Sequence, residues 1–547
     1  MPFYPNEYRD VPPVDLLSWL FPHDIDILND DKDIYVDAFD NTKRLNTRQA
    51  LSIIRKLVAG FQTVGLNPGE AYLYSAIYLG IVGAGGCFVG SNPGYTTAEL
   101  KHLFSTTNSK YFIIEADLFD KVLPVLLETG THASRIFIFD TQDFPQPEVG
   151  FRSWEFLLQH GERDWVPIED ESTARSTTAA LLSTSGTTGP SKAAAISHYA
   201  QVASGVSMQS SIEKPYSVRR LISIPQFHAF AAPIVHISPL KFGHTTYIMR
   251  RFDLNMFMRY VDRYEITETA VVPPIIATLV NECTSTHALQ TLRLLWCAGS
   301  PLSTVLNERM YQQLHKDAII SQVWGMTELG WVSTFGWPEK DWSGSVGKLL
   351  PNMEARVIDE QGRELTAEGA LGEFQIRGPS TMNGYLNNSS ETFKAFDNGW
   401  LKTGDVGYFK DGKIYIIDRI KELIKVRGWQ VSPSELESTL LLHPSIIDAA
   451  VVPFRPRAND MSDEYPRAYV VLHPETSGLI SEQYVKDFVK VRVARYKALD
   501  GGVVFVNSIP RNGSGKILRK ALTQRARADS AVDLSPASTL NIDPLRL

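Results

Sequence analysis

The sequence has few cysteines, no excess of positive charge and no basic, apolar leader. Its three cysteines, Cys87, Cys283 and Cys297, lie far apart in 547 residues, which argues against a disulfide framework or a structural zinc site and indicates a reducing compartment. Lysine and arginine number 54 against 61 acidic residues, and the net charge of −7 argues against a nucleic-acid partner held by bulk electrostatics. Residues 1–15 contain neither a basic start nor an apolar run, so no signal peptide is predicted.

Residues 71–90 form an uncharged, largely apolar run that is long enough to span a membrane, but the run is rich in glycine and is followed by Ser91-Asn-Pro-Gly94. These features predict a buried helix that turns into a buried strand, and no membrane span is expected. Apolar residues make up 44% of the chain and charged residues 21%, which are ordinary globular values. The length predicts two or more domains.

Residues 181–198, Leu-Leu-Ser-Thr-Ser-Gly-Thr-Thr-Gly-Pro-Ser-Lys-Ala-Ala-Ala-Ile-Ser-His, are the most informative stretch. Its apolar start predicts a strand, residues 183–189 all carry a hydroxyl or no side chain, and Ala193 is predicted to begin a helix. Glycines let backbone N–H groups approach an anion, hydroxyls add donors and Lys192 adds charge, which together suit a polyphosphate. Two residues separate Gly189 from Lys192, unlike the spacing of a P-loop. A flexible Ser/Gly linker is the alternative.

Other polar groups are typical of nucleotide chemistry. Thr327 and Glu328 follow an apolar segment and can offer a hydroxyl to a phosphate and a carboxylate to a divalent cation. Asp405 follows a tight turn and suits two ribose hydroxyls. A glycine-rich loop ends in Lys516, and His228 stands between aromatic residues. Alone, these features also fit an exposed turn, a turn-initiating aspartate, a solvated loop and a core histidine.

The order of these stretches closely resembles that of the ANL superfamily of adenylate-forming enzymes, which includes acyl- and aryl-CoA synthetases, peptide-synthetase adenylation domains and beetle luciferases. The phrases Gly344-Ser-Val-Gly-Lys-Leu-Leu-Pro-Asn352 and Asp418-Arg-Ile-Lys-Glu-Leu-Ile-Lys425 are similar to the 4-coumarate–CoA ligase and luciferase branch. The resemblance implies an α/β fold. It implies a large N-terminal domain of two α/β subdomains plus a small β-barrel (1–418) and a small mobile α+β C-terminal domain (419–525). Residues 526–547 are predicted to be a disordered tail.

The resemblance implies an AMP-forming acyl-CoA synthetase that uses ATP, Mg²⁺ and CoA. A carboxylate attacks the α-phosphate of ATP to give an acyl-adenylate and pyrophosphate, and the CoA thiol then displaces AMP. The implied partner is a small-molecule carboxylic acid, and the expected state is a monomer or homodimer. The cytosol is expected first and the peroxisome second, because the terminal Leu545-Arg-Leu547 departs from a Ser-Lys-Leu signal.

The resemblance also implies a role for each matching position. Four residues are implied to be catalytic: Lys516, Lys425, His228 and Thr327. ATP or AMP is implied to contact Thr184, Ser185, Gly186, Thr187, Thr188, Gly189, Lys192, Ala298, Gly299, Ser300, Trp324, Gly325, Thr327, Asp405 and Arg419. Glu328 is implied to bind Mg²⁺. The acid pocket is implied to comprise His228, Phe230, Gly299, Gly325, Trp331 and Val332. The hinge and CoA-facing positions are implied to be Lys421, Lys425, Gly428 and Gln430.

The sequence departs from the family pattern in three places. Ser191-Lys192-Ala193 replaces the usual Pro-Lys-Gly, which predicts a stiffer loop, and Trp324 replaces a tyrosine. After Glu70 a sheet strand of the family is expected to be missing. The bulk of Trp331 favours a short or planar acid over a long fatty acyl chain.

Three other functions stay open at this point. The adenylate could pass to a carrier protein in trans, or serve a luciferase-like monooxygenase. The third alternative is not an enzyme: it is a non-catalytic relative that the missing strand has disabled. The retained polar residues argue against that last reading, because Lys192, Glu328, Asp405 and Lys516 are all present.

Overall fold

The computed structural model describes most of the chain, in two compact units. The described residues are 2–22, 31–64, 73–139, 150–184, 191–209, 212–283, 287–427, 429–455, 464–476, 478–511 and 515–532. The first unit comprises Met1–Leu302, Asn307–Thr403 and Tyr408–Tyr415. The second comprises Ser303–Leu306, Gly404–Gly407 and Ile416–Leu547. Both units combine helices with strands, so the predicted α/β class is confirmed.

Seven strands form the largest sheet, and all neighbours pair in parallel except the last two. In order across the sheet they are Ile319–Gln322, Leu294–Cys297, Glu268–Val271, Arg219–Ile222, Thr245–Ile248, Asp33–Asp37 and Arg44–Asn46. The helices that follow its strands are Ser238–Phe242, Leu254–Arg263, Pro273–Glu282 and Thr304–Tyr311. Both faces of such a parallel sheet are covered, and accordingly Glu268–Val271 and Leu294–Cys297 are buried at every residue.

A second, four-stranded sheet carries the informative stretch. Its order is Gly384–Tyr385, Ala193–Ser197, Thr178–Ser183 and Phe88–Val89. Ala193 begins a strand, so the predicted helix start was wrong: pairing with Thr178–Ser183 overrides the helix propensity of the alanine run. The helix begins only after Ser197, whose Oγ accepts a hydrogen bond from the Ala200 N–H at 3.1 Å. The helices in this part of the unit are Leu16–Leu20, Thr47–Val64, Tyr74–Gly83, Thr97–Thr107, Glu171–Ser176 and His198–Met208.

Residues 71–90 contain the buried helix Tyr74–Gly83 followed by the strand Phe88–Val89, as predicted. The helix lies close against Thr47–Val64, because a Cβ on Gly80 would stand 2.6 Å from the Cβ of Leu57. Of the helices in the described part of the chain, not one has both the length and the apolar composition that crossing a membrane requires. Residues 65–72, where a strand is expected to be missing, lie outside the described residues.

Short strands fill the remainder of the first unit. One sheet contains Phe112–Glu115, Ile136–Phe139 and Arg152–Ser153, with the helix Phe119–Glu128. Another contains Trp324–Met326, Gly330–Thr334 and Lys348–Leu349. A third sheet has six strands. Five follow in the order Glu364–Leu365, Glu354–Ile358, Gly372–Arg377, Trp400–Lys410 and Phe396–Asp397, and the sixth, Lys413–Arg419, also pairs with Trp400–Lys410. The helix Ser389–Ala395 lies in this part of the chain. Backbone hydrogen bonds of Ile414 with Val346 and Gly347 continue this sheet to the segment just before Lys348–Leu349.

The second unit has a three-stranded sheet with apolar clusters built on it. The sheet contains Ile446–Phe454, Tyr465–Leu472 and Val503–Phe505, and a separate hairpin pairs Ile424–Val426 with Trp429–Val431. Its helices are Pro433–Leu440, Glu482–Lys490 and Arg519–Val532. Successive residues of the two long strands belong alternately to two apolar clusters: Val451 belongs to one, and Ala450 and Val452 belong to the other. The period of two along a strand therefore gives this small unit a core on each face.

The helix Arg519–Val532 enters the segment that was predicted to be a disordered tail from residue 526. Ala526 is 1% exposed and belongs to a buried cluster with Leu522 and Tyr469. The tail prediction therefore began too early, because the helix buries an apolar face on the sheet. Residues 533–547 lie outside the described residues.

We expect Ala526→Asp to destabilise the second unit by about 2 kcal/mol or more, since it buries a carboxylate without a partner. Ala528 is exposed on the same helix, and Ala528→Asp is the matched control, with an expected change within about 0.5 kcal/mol. Urea denaturation followed by circular dichroism measures both. Equal stability of the two variants would contradict the packing of this helix.

Candidate active site

The structure describes the two ends of the predicted phosphate loop, Thr184 and Lys192. The strand Thr178–Ser183 enters it and Ala193–Ser197 leaves it. The Thr184 N–H donates to the Lys192 carbonyl at 2.8 Å, and the Lys192 N–H donates to Thr184 Oγ1 at 3.2 Å. These two bonds close the loop at its base. The implied ATP-binding residues between them, Ser185, Gly186, Thr187, Thr188 and Gly189, lie outside the described residues.

The Lys192 side chain is held by two groups from a distant part of the sequence. Its Nζ lies 2.9 Å from Glu391 Oε2 and 4.3 Å from the centroid of the Tyr385 ring. Hydrogen bonds from Lys394 and Lys192 lower the pKa of Glu391 to about 2, so this carboxylate is ionised at neutral pH. The lysine therefore has a fixed position beside an aromatic face and an anion.

Glu328 meets the same tyrosine. It lies in the turn after Trp324–Met326, is buried, and its Oε1 accepts a hydrogen bond from the Tyr385 hydroxyl at 2.7 Å. Burial raises the pKa of Tyr385 most, and the nearby Glu328 carboxylate raises it further, so the hydroxyl keeps its proton. Tyr385 thus joins Lys192, implied to bind phosphate, to Glu328, implied to bind the metal.

Gly325 is required for the turn that carries Thr327 and Glu328. Trp324–Met326 pairs antiparallel with Gly330–Thr334, and a Cβ on Gly325 would stand 2.2 Å from the carbonyl oxygen of Gly330. Thr327 is half-buried in the turn, and the buried Trp324 has its ring 5.3 Å from that of Phe374. Only glycine permits this close approach of the two backbones, and the approach fixes the position of the turn that carries Thr327 and Glu328.

The residues implied to contact adenine follow the carboxyl ends of two adjacent parallel strands. Ala298, Gly299 and Ser300 follow Leu294–Cys297, and Trp324 closely follows the neighbouring strand Ile319–Gln322. Gly299 has a φ of +94°, a conformation that other residues adopt only with strain. Ligands of open α/β sheets bind beyond the carboxyl ends of the strands, so these residues lie where a nucleotide is expected.

The implied acid-pocket residues form an aromatic cluster. The Trp331 Nε1–H donates to the Phe230 carbonyl at 3.0 Å, and their rings lie 5.6 Å apart. Trp296, which sequence reasoning missed, meets Trp331 edge-on at 5.9 Å. Val332 is completely buried next to Trp331. Burial lowers the pKa of His228, whose Nδ1 accepts from the Phe230 N–H at 3.2 Å, so the imidazole is neutral at pH 7.

The second unit brings together the implied ribose contacts. Asp405 is buried, and its Oδ1 lies 3.0 Å from the Arg419 Nε. Gly404, with a φ of +71°, accepts the Ile420 N–H through its carbonyl at 2.9 Å and so turns the chain beside this pair. Arg419 and Asp405 are thereby held next to one another, as the implied contact of both with one ribose requires.

Lys516 lies in the same cluster of charges. Its Nζ is 3.8 Å from Glu422 Oε1. Burial lowers the pKa of Lys516 most, and the positive charge of Arg419 lowers it further. Burial alone would raise the pKa of Glu422, but Arg519 and Lys516 lower it, so this carboxylate is ionised. The half-buried lysine thus faces carboxylates and guanidinium groups of its own unit, among them Arg419 and Asp405.

The implied CoA-facing residues lie on an exposed hairpin. Lys425 stands directly opposite Gln430, both side chains are exposed, and Lys421 is exposed just before the hairpin. Sequence reasoning missed Trp429, which is 58% exposed and stacks on Tyr496 with ring centroids 4.8 Å apart. Gly428 lies outside the described residues.

Comparison with known proteins identifies the family. Residues 29–386 match the AMP-binding enzymes, and residues 435–516 match the C-terminal domain of AMP-binding enzymes. The chain belongs to the AMP-binding enzyme family. Its membership of the adenylate-forming superfamily, predicted from the motifs, is thereby confirmed.

Relatives of this AMP-binding enzyme align over nearly its whole length. It is 40% identical to the acyl-CoA ligase azaF of Aspergillus niger over 94% of this chain and 98% of that protein. It is also 40% identical to the phenylacetyl-CoA ligase epaB of Aspergillus niger, over 94% and 97% of the two chains. The fold is similar to that of ATP-bound MatB from Rhodopseudomonas palustris, with a TM-score of 0.81, 23% identity and coverage of 94% and 99%.

The residues that the sequence motifs missed lie far from them along the chain. Tyr385 is 57 residues from Glu328, and Glu391 is 199 residues from Lys192. The signal that could have located them is the strand pairing of Gly384–Tyr385 with Ala193–Ser197, which no local pattern records.

For this AMP-binding enzyme, we expect Gly325→Ala to destabilise the first unit by about 1–3 kcal/mol, because the new Cβ overlaps the Gly330 carbonyl. Gly336→Ala is the matched control, since a Cβ there meets nothing within 4 Å. Urea denaturation of both variants measures the difference. A Gly325→Ala protein as stable as the control would contradict the close approach.

Proposed function

We propose that this chain is an ATP-dependent ligase that joins a small aromatic carboxylic acid to CoA. The acid attacks the α-phosphate of ATP to form an acyl-adenylate and pyrophosphate, and the CoA thiol then displaces AMP. The observation that carries the proposal is the meeting of Lys192 and Glu328 at Tyr385, which combines a cation for phosphate with a carboxylate for a divalent ion. The alignment with acyl-CoA and phenylacetyl-CoA ligases supports the reaction class.

In this proposal several side chains and one loop are assigned to particular parts of the nucleotide. Lys192 and the loop before it hold the β- and γ-phosphates, and Thr327 donates its hydroxyl to the α-phosphate. The adenine lies between residues 298–300 and the Trp324 ring. Asp405 accepts hydrogen bonds from the ribose hydroxyls while Arg419 fixes the carboxylate. These groups work mainly by positioning the reactants and stabilising charge, as phosphoryl chemistry requires.

The residues present fit Mg²⁺ bound together with ATP. Magnesium is usually held by one or two carboxylates plus substrate phosphates, and Glu328 supplies one buried carboxylate. The described residues contain no group of three or more His, Cys, Asp or Glu that could cage an ion without ATP. When bound, the ion would neutralise charge on the phosphates. The chain's own task is to hold the Glu328 carboxylate, which Tyr385 does.

We assign residues 1–418 to an adenylation domain and residues 419–525 to a mobile domain that turns at Lys421. In the adenylation step, Lys516 neutralises charge on the carboxylate and the α-phosphate as they react. For the thioester step we assign Lys425, Gly428 and Gln430 to CoA and His228 to the acid pocket.

The aromatic cluster supports the choice of acid. Phe230, Trp331 and Trp296 are each less than 9% exposed, and the Trp331 ring contacts both of the others. In a pocket lined by these side chains, their bulk favours a short or planar acid over a long acyl chain. A flat ring can lie against such side chains in an offset or edge-on arrangement. The likeness to a phenylacetyl-CoA ligase supports a single aromatic ring.

Pyrophosphate release with ATP, Mg²⁺ and a panel of acids tests this function. We expect at least one of phenylacetate, benzoate and nicotinate to be a substrate. The kcat/KM for palmitate should be at least about tenfold lower than for that acid, because a pocket of fixed size discriminates by length. AMP formation that depends on CoA supports the ligase. Adenylate formed without CoA dependence would indicate a carrier protein or an oxygenase, and a folded but silent protein would refute the proposal.

We expect Lys516→Ala to lose about 100-fold or more in adenylation and to spare thioester formation from preformed acyl-adenylate, because the lysine acts only on the first transition state. Lys520→Ala is the control, since Lys520 is exposed on the same segment. Single-turnover assays of the two half-reactions separate the effects. An equal loss in both would contradict the role of Lys516.

A further inference from the structure

Tyr385 stands between two groups that the proposed function assigns to ATP. We propose that Tyr385 is a positioning residue, whose hydroxyl orients the Glu328 carboxylate for the metal while its ring face holds the Lys192 ammonium for the phosphates. The inference rests on the proposed function, because it takes Glu328 as the metal carboxylate and Lys192 as a phosphate contact.

The hydroxyl of Tyr385 fixes one oxygen of Glu328. It donates to Oε1 at 2.7 Å, and the carboxylate is buried, so the bond is a charge-assisted one in a place with little competing water. Among the described residues, the Tyr385 hydroxyl is the side-chain group that hydrogen-bonds to this carboxylate. Since Oε1 is engaged in this way, we expect Oε2 to be the oxygen that binds the cation. A hydrogen bond to one oxygen of a metal-binding carboxylate is the usual way in which a protein sets its orientation.

The ring of Tyr385 fixes the ammonium of Lys192. The Nζ lies 4.3 Å from the ring centroid, a cation–π distance, and Glu391 holds the same Nζ at 2.9 Å. Lys192 is 30% exposed, so its ammonium is reachable from solvent. An arriving phosphate can replace Glu391 as the anionic partner while the ring stays in place below the ammonium.

The backbone of Tyr385 is itself firmly held. Tyr385 pairs with Ala194, two residues beyond Lys192, and its N–H donates to Thr392 Oγ1 at 2.9 Å. The preceding Gly384 has a φ of +144°, and a Cβ there would stand 2.7 Å from the Thr392 Cγ2. The same strand pairing therefore sets the positions of Tyr385 and Lys192 relative to each other.

Tyr385→Phe tests the inference, because it removes the hydroxyl and keeps the ring. We expect the Mg²⁺ concentration for half-maximal pyrophosphate release to rise about 10- to 100-fold, with the KM for the acid unchanged. We also expect Mn²⁺ to bind the variant's complex with α,β-methylene-ATP about 10- to 100-fold more weakly, measured by calorimetry. Tyr415→Phe, whose ring stacks on Tyr408, is the control and should match the wild type in both measurements.

The two proposals can fail separately. A wild-type protein that releases no pyrophosphate with any acid refutes the proposed function. An active wild type with an unchanged divalent-ion dependence and unchanged Mn²⁺ binding in Tyr385→Phe overturns the role of Tyr385. If Tyr385→Phe does not fold, Thr392→Val replaces it, since this change frees the Tyr385 N–H and leaves its side chain. A folded Thr392→Val with wild-type Mn²⁺ binding would then overturn the inference, and weaker binding would support it.

Discussion

The antiparallel pairing of Ala193–Ser197 with strands on both sides is the constraint on which the candidate active site depends. On one side it closes the phosphate loop against Thr178–Ser183, and on the other it receives Gly384–Tyr385. The second pairing brings Tyr385 to Lys192, and through its hydroxyl to Glu328. Because the side-chain period of a strand is two, a slip of one residue in this register would turn Tyr385 to the other face.

Each cation proposed to contact ATP has a carboxylate within its own unit. The pairs are Lys192 with Glu391, Arg419 with Asp405, and Lys516 with Glu422. The Lys192–Glu391 pair is partly exposed, and such pairs contribute only about 0–1 kcal/mol, so a phosphate with several acceptor oxygens can compete for Lys192 at little cost. The carboxylates keep the cations in place before the nucleotide binds.

The sequence was sufficient for the family and the fold class, since Thr327, Glu328 and Lys516 each stand in a short recognisable phrase, while the roles of these residues stay predictions. It was insufficient where tertiary pairing decides the outcome. Ala193 lies in a strand although an alanine run favours a helix, because its partners on both sides outweigh propensity. Tyr385 was missed for the same reason: its role comes from pairing across the sheet and not from its neighbours in sequence.

A buried ion cluster behind the aromatic side chains limits how far an acyl group can reach in the proposed acid pocket. Arg220 stands directly opposite Glu268 on neighbouring strands, with Nη2 and Oε2 2.7 Å apart, and its guanidinium lies 5.0 Å from the Trp296 ring centroid. Burial alone would raise the pKa of Glu268, but Arg220 and Lys214 lower it to about 2. Separating a buried pair costs about 3–5 kcal/mol, so Trp296 cannot retreat into these charges to admit a longer acid. If these aromatic residues line the acid pocket as proposed, the charges behind the Trp296 ring limit the length of the substrate together with the bulk of the ring.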